Sequence, residues 1–305
     1  MENKLAISCK NLRKEYENNG KVTEVLNIEK LEIKQGSFFG ILGPNGAGKS
    51  TLINIIASLI EKTSGTVEIL GKDMETNIQF TKLNIGTAVQ DVKLDPFLTV
   101  EETLEFQAGY YGIPKSKRKI DELLQNLGML EHKHKRSRTL SGGMQRRLVI
   151  AKALIHNPDI IILDEPTAGV DIELRTQLWS FIKNLKAQGK TVIITTHYLE
   201  EAQELCDEIA FIKSGKVLLS DKKSNILSLL DKKTVFVQTE SKIPAIEING
   251  ANFQEYELGI QIDYIPSLVS TVNLLDILRE NGVVIKDLTI KDTTLDAVFS
   301  YIINR

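Results

Sequence analysis

Cysteine is scarce in this sequence. Cys9 and Cys206 are the only two among 305 residues, they stand far apart, and they match no metal-ligand spacing, so a reducing cytosol suits them. Long apolar runs are missing as well. The longest apolar-rich stretch, Leu52 to Ile60, is interrupted by Asn54 and Ser58 and falls far short of the roughly 20 residues a membrane-crossing helix needs. A chain of this kind working at a membrane needs another chain to supply the crossing. The opening residues, Met1 to Leu5, include an acidic residue followed by polar ones and lack the apolar core of a secretion signal. Neither sign of charge dominates. A formal net charge of −2 makes no global case for nucleic acid or an anionic membrane as the main partner. Internal repeats and low-complexity segments are absent too. What the chain does have is length and apolar content: 42% hydrophobic residues support a substantial core, enough for one large domain and one small one.

The stretch around which the rest is arranged is Gly43-Pro44-Asn45-Gly46-Ala47-Gly48-Lys49-Ser50-Thr51. It follows the apolar run Phe38 to Leu42 and precedes Leu52 to Ile56, which reads as strand, glycine loop and helix. This is the phosphate-binding P-loop pattern with its context intact. Small residues let backbone N–H groups close around phosphate oxygens, and a helix N-terminus lies just beyond. In that pattern Lys49 reaches the β- and γ-phosphates and Ser50 ligates Mg²⁺, so a nucleoside triphosphate is the expected ligand.

Other residues gain meaning beside that loop. Asp159 to Leu163 is a continuous apolar run of the kind buried on both faces of a parallel sheet, and it ends in Asp164-Glu165. Carboxylates at the C-terminal end of such a strand stand where α/β sheets hold their ligands. Asp164 is placed to hold Mg²⁺ through its water shell, and Glu165 to polarise an attacking water. A second buried strand, Thr191 to Thr195, delivers Thr196-His197 to the same edge, where His197 is either structural or a γ-phosphate contact. Ser141-Gly142-Gly143 opens an apolar helix, either as a plain N-cap or as a set of free N–H groups offered to an anion. Tyr16, ahead of the P-loop, reads as a half-buried strand residue or as a stacking platform for a nucleobase. Gln90 ends the short strand 85–89 and by itself is a surface glutamine.

The remaining chain reads as follows. Strands are expected at 4–9, 22–26, 31–33 and 67–70, with a polar turn from Glu17 to Gly20. From Leu98 to His156 the pattern is helical: Thr99 and Glu102 form a capping box, Ser116 is expected to cap a helix through Leu127, and Gly128 ends it. Basic clusters lie at 115–119 and 133–138, the second with His132 and His134 read as solvated. A helix follows Asp171, a further helix spans 198–206, and a hairpin pairs 209–212 with 217–219. Past Ser220 come a helix at 226–230, a strand at 234–238, weakly patterned chain to Gly259, a strand at 260–265 and a helix at 268–279. A strand at 283–290 and a helix at 295–303 close the chain. No cluster of chemical groups stands out there, so a small α+β domain is expected.

Taken together, these motifs resemble the ATP-binding subunit of an ABC transporter. The resemblance spans about residues 4–220 and runs through the P-loop, Gln90 as Q-loop, the signature Leu140-Ser141-Gly142-Gly143, Asp164-Glu165 as Walker B, Ala168-Gly169-Val170-Asp171 as D-loop, and His197 as switch. Met144 to Arg147, the D-loop and the closing Thr294 to Phe299 segment resemble the drug-resistance and multidrug exporter branch, in which ATPase and permease are separate chains. Met144, where glutamine is commonest, and the Ala-Gly opening of the D-loop are small departures that also occur in that branch. The resemblance implies an α/β P-loop NTPase core with antiparallel β and helical subdomains, over residues 1–222, with 91–156 helical. A C-terminal accessory domain over 223–305 follows. It also implies ATP and Mg²⁺ as ligands, with Mg²⁺ held by Ser50, Gln90 and Asp164, and hydrolysis carried by Glu165, His197, Lys49 and Gln90. Tyr16 is then expected on adenine, and Ser141, Gly142 and Gly143 on the triphosphate held by a second copy. The implied partners are a homodimer mate or sister ATPase and an integral membrane permease at the cytoplasmic face of the membrane, with no nucleic acid.

Overall fold

The computed structural model describes residues 4–18, 20–89, 94–168, 172–230, 232–239, 248–256 and 259–303. The chain divides into two compact units, Met1–Lys222 and Lys223–Arg305.

The first unit opens with a long antiparallel hairpin, β1 (Leu5–Asn18) and β2 (Lys21–Lys34). The sequence reads there as short separate strands, 4–9, 22–26 and 31–33, with a polar turn from Glu17 to Gly20. The pairing instead runs through register shifts at Leu5/Ile7 and Lys14/Glu15, and such irregularities reset the alternation from which strand length is read. Next come β3 (Phe38–Leu42), α1 (Lys49–Ile56), β4 (Ser64–Ile69), β5 (Lys72–Asp73), α2 (Ile78–Asn84) and β6 (Ile85–Ala88). The helical segment holds α3 (Val100–Tyr110), α4 (Ile120–Asn126) and α5 (Gly142–Leu154). After it the chain forms β7 (Ile160–Asp164), α6 (Ile172–Ala187), β8 (Thr191–Thr196), α7 (Leu199–Leu205), β9 (Glu208–Lys213) and β10 (Lys216–Lys222).

These strands build two sheets. One is antiparallel in the order β2-β1-β4-β5, and the other runs β10-β9-β3-β8-β7-β6. In the second sheet β9, β3, β8, β7 and β6 are mutually parallel, while β10 returns antiparallel to β9. Every residue of β3, β7 and β8 is buried, as their unbroken apolar runs require. A single core joins the sheets: Leu52, Ile53, Ile55 and Ile56 of α1 pack with Ile7, Leu26 and Ile28 of the hairpin and with Ile41, Ile162 and Ile193 of the parallel sheet. Each such side chain contributes about 1.5–3 kcal/mol on burial, so the helix behind the P-loop is firmly seated. Because the central strands are parallel, β3, β8, β7 and β6 all release their chain at one edge.

The capping box of α3 is present, with the Thr99 hydroxyl accepting from the Glu102 amide (3.2 Å) and Glu102 accepting from the Thr99 amide (2.8 Å). Ser116 does not cap α4. It lies in a single tight turn, Lys115–Lys117, and the helix begins after Lys119 without a side-chain cap. The basic cluster at 133–138 is partly neutralised inside the molecule, since Lys133 pairs with Glu101 (3.1 Å) and Asp121 (2.7 Å). Those two carboxylates raise the lysine's pKa.

The second unit contains α8 (Lys223–Leu227), β11 (Lys233–Gln238), β12 (Ala251–Tyr256), β13 (Gly259–Tyr264), α9 (Thr271–Glu280), β14 (Asp287–Lys291) and α10 (Leu295–Ile303). Its sheet is antiparallel, in the order β12-β13-β11-β14. Val235, Val237, Ile260, Ile262 and Tyr264 turn one face towards Leu274 and Leu278 of α9 to form its core. The strand β12 falls within chain that reads as weakly patterned, and β14 is shorter than the expected 283–290.

Candidate active site

The P-loop occupies the predicted place between β3 and α1. Gly43 is forced by packing: a Cβ there would lie 2.1 Å from the Ile212 carbonyl oxygen. Gly48, the N-cap of α1, has φ 101° and offers no side-chain cap. The first-turn N–H groups of α1 therefore lack a capping side chain and, by helix geometry, an intrahelical carbonyl. That is the arrangement that receives an anion. Lys49 is buried, and its Nζ donates to the Gly43 (2.7 Å) and Pro44 (3.1 Å) carbonyls. Burial lowers its pKa, opposed by the negative charges of Glu165 and Asp164. Pro44, Asn45, Gly46 and Ser50 are exposed on the loop, Ala47 is buried and Thr51 is half-buried.

The ends of β7 and β8 meet this loop electrostatically. Asp164 is buried, and its Oδ1 accepts from the Thr195 hydroxyl. The Glu165 amide donates to both the carbonyl (3.0 Å) and the hydroxyl (3.1 Å) of Thr195. Glu165 sits at φ 51°, a left-handed conformation that costs a non-glycine residue about 1–3 kcal/mol and persists where its surroundings hold it. Arg146 of α5, also buried, donates to the Asp164 carbonyl and, at 2.6 Å, to the Val89 carbonyl just past β6. Desolvation lowers its pKa against the pull of Asp164, Glu165 and Glu201. His197, just past β8, has Nδ1 at 3.1 Å from Glu165 Oε1 and its ring tilted against Tyr198 at 4.0 Å. A lysine, two carboxylates and an imidazole are thus held at one sheet edge.

Ser50 and Asp164 border the same cleft of about 530 Å³, with Thr87 and Val89 on its wall. Among the described residues no group of three or more His, Cys, Asp or Glu could hold a metal. One carboxylate and one hydroxyl facing a cleft nevertheless fit Mg²⁺, which keeps several waters and takes its other ligands from substrate phosphates.

Some expected residues stand apart. Ser141 caps α5 by accepting from the Met144 amide (3.3 Å), and Ser141 and Gly142 are exposed at that helix tip. They make none of the hydrogen bonds of the Lys49–His197 cluster. Tyr16 is 44% exposed, with Lys14 Nζ 4.7 Å over its ring. It pairs with Thr23, two residues from Val25, whose carbonyl closes on Gly48. Gln90 and the Gly169-Val170-Asp171 portion of the D-loop lie outside the described residues.

The ABC transporter family pattern matches residues 26–168. The linearmycin resistance ATP-binding protein LnrL of Bacillus subtilis is 33% identical over 304 residues, spanning 96% of this chain and 96% of that protein. The chain belongs to the ABC transporter family. A Nod factor export ATP-binding protein of Ralstonia nicotianae is 34% identical over 73% of this cassette and 68% of its own length. A dimeric ATP-binding cassette solved in a post-hydrolysis state with ADP and Pi matches with a TM-score of 0.65 at 32% identity, covering 71% of this chain and 98% of that one. The cassette is an ATPase with the α/β P-loop fold of these relatives, and none of its described helices is long and apolar enough to cross a membrane.

Thr195 and Arg146 bind the site together, yet motif reading passed over both. A signal for Thr195 exists: a hydroxyl near the end of a fully buried strand must find a partner. Arg146 offers a weaker one, as a charge on the helix face that buries Val149, Ile150 and Ala153.

Proposed function

We propose that this cassette drives a separate membrane permease, exporting a drug-like or lipid-like substrate, and that two copies, or one copy and a sister ATPase, close around two ATP molecules. The observation that carries the catalytic part is the Glu165–His197 contact of 3.1 Å beside the buried Lys49. In this reading the P-loop amides wrap the phosphates and Lys49 neutralises the β- and γ-phosphate charge. Glu165 polarises the attacking water as a general base, and His197 contacts the γ-phosphate while its Nδ1 stays on the glutamate. Mg²⁺, when bound, is held by Ser50, Asp164 and Gln90 and offsets charge on the phosphate oxygens.

Tyr16 stacks on adenine. The helix tip Ser141-Gly142-Gly143 engages the triphosphate of the opposite copy, which accounts for its separation from Lys49 within one chain. The permease supplies the membrane crossing and seats the cassette at the cytoplasmic face through the helical segment. The names of the relatives, antibiotic resistance and Nod factor export, support export rather than uptake. Nucleic acid has no part in this reading.

Single-turnover hydrolysis by Glu165→Gln tests the chemistry. A fall on the order of 10²–10⁴-fold with ATP still bound is expected, and hydrolysis at the unmodified rate would overturn the assignment.

A further inference from the structure

Glu201 is a buried carboxylate that the reaction as described does not use. It lies on the first turn of α7, four residues past His197, and is 1% exposed. Its Oε1 accepts from the Thr167 hydroxyl at 3.0 Å, in a fully buried hydrogen bond, and from Trp179 Nε1 of α6 at 3.1 Å. Thr167 is two residues past Glu165. One carboxylate therefore joins the segment that carries Glu165, the segment that carries His197, and the helix packed behind them. The Thr196 side chain and the positive charge of Arg175 favour its charged form. Burial raises the pKa of this carboxyl.

Among the described residues, ties between the two segments flank the Glu165–His197 contact on both sides. On the sheet side, Thr195 bonds Asp164 and the Glu165 amide. Beyond Glu165 and His197, a side-chain tie runs from Thr167 to Glu201. With the first tie alone, the two segments could hinge apart past the sheet, and the 3.1 Å Glu165–His197 contact would loosen.

We infer that Glu201 is a positioning residue for hydrolysis, which through Thr167 and Trp179 holds Glu165 and His197 in register. A neutral acceptor at the same point does the same work, since both donors need only an oxygen lone pair. The binding of ATP, which falls to the P-loop, does not depend on it. The inference rests on the roles proposed for Glu165 and His197.

The test measures kcat and KM for ATP on the full chain in Glu201→Ala, Glu201→Gln, Thr167→Val and Glu165→Gln, together with thermal unfolding of each. Misplacement of reacting groups is expected to lower kcat about 10-fold or more in Glu201→Ala, with KM within about twofold because the P-loop is untouched. Glu201→Gln should restore most of that loss, and Thr167→Val, a smaller and nearly isosteric change, should share the direction of Glu201→Ala. A purely structural role predicts instead a lower unfolding temperature with unchanged kcat per folded molecule, and that result overturns the inference. So does a Glu201→Gln variant as slow as Glu201→Ala. If Glu165→Gln turns over normally, the reading of the site itself fails. If Glu165→Gln is inactive while Glu201→Ala and Thr167→Val keep full kcat, only the role of Glu201 fails.

Discussion

The two units use the same kinds of pieces and treat polar groups in opposite ways. In Met1–Lys222 the buried residues include Lys49, Arg146, Asp164 and Glu201. In Lys223–Arg305 the only buried polar residue among those described is Thr239, and the core of Val235, Val237, Ile260, Ile262, Leu274 and Leu278 is apolar. Burying a charge costs several kcal/mol unless it is paired and hydrogen-bonded. The first unit meets that cost at one sheet edge, where every buried charge named has partners. Interior charge is therefore concentrated at the candidate site, while the second unit's sheet packs an apolar core.

Substitutions in each unit should separate these two designs. Of these, Lys49→Ala should have the strongest effect, lowering hydrolysis on the order of 10²–10³-fold by removing the buried cation proposed to neutralise the phosphates. ATP turnover with the unfolding temperature measured alongside checks it. Leu278→Ala, in the second unit, should destabilise that unit by about 2–5 kcal/mol and leave kcat per folded molecule unchanged, which denaturant unfolding and ATPase assays will read together. Loss of turnover in this variant at full folding would mean that the second unit takes part in the chemistry. Thr195→Val removes the hydroxyl shared by Asp164 and the Glu165 amide. A cost of about 1–3 kcal/mol is expected for the Asp164 carboxylate that loses this donor, with a drop in kcat larger than any rise in KM.

The smallest effect concerns pH. His156 stacks on Tyr111 at 3.7 Å and donates from Nε2 to the Ile85 carbonyl (3.1 Å), and burial, helped by Lys190, lowers its pKa. The unfolded chain then binds more protons than the folded one as pH falls below the ordinary histidine value. Its contribution is accordingly complete above about pH 6.5 and declines below it, by at most about 1.4 kcal/mol per pH unit. His156→Phe, which keeps a ring for the stack, should lack that part of the acid loss in thermal unfolding between pH 7 and 5.

The legible parts of the molecule were those encoded within a few neighbouring residues. The P-loop, Asp164-Glu165 and His197 declare themselves because strand, turn and functional residue are contiguous, and β3, β7 and β8 because burial on both faces leaves an unbroken apolar run. Contacts between distant segments were not legible: Arg146 to Val89 and Asp164, Thr195 to Glu165, and Thr167 to Glu201 each join residues whose proximity exists only after folding. Local propensity also misled where it was weak. Helix α2 begins without a side-chain cap and buries only Thr81, and β12 leaves most of its residues exposed, so neither carries a strong period. Ser116 is a good capping residue in isolation, but the tight turn at 115–117 moves the helix start past Lys119.

The most direct measurement is sedimentation velocity of the Glu165→Gln cassette with and without saturating MgATP. A monomer is expected without nucleotide and a dimer with it, the Ser141-Gly142-Gly143 tip of each copy closing on the P-loop of the other. A Glu165→Gln protein that binds MgATP and stays monomeric, alone and with its membrane partner, would contradict it.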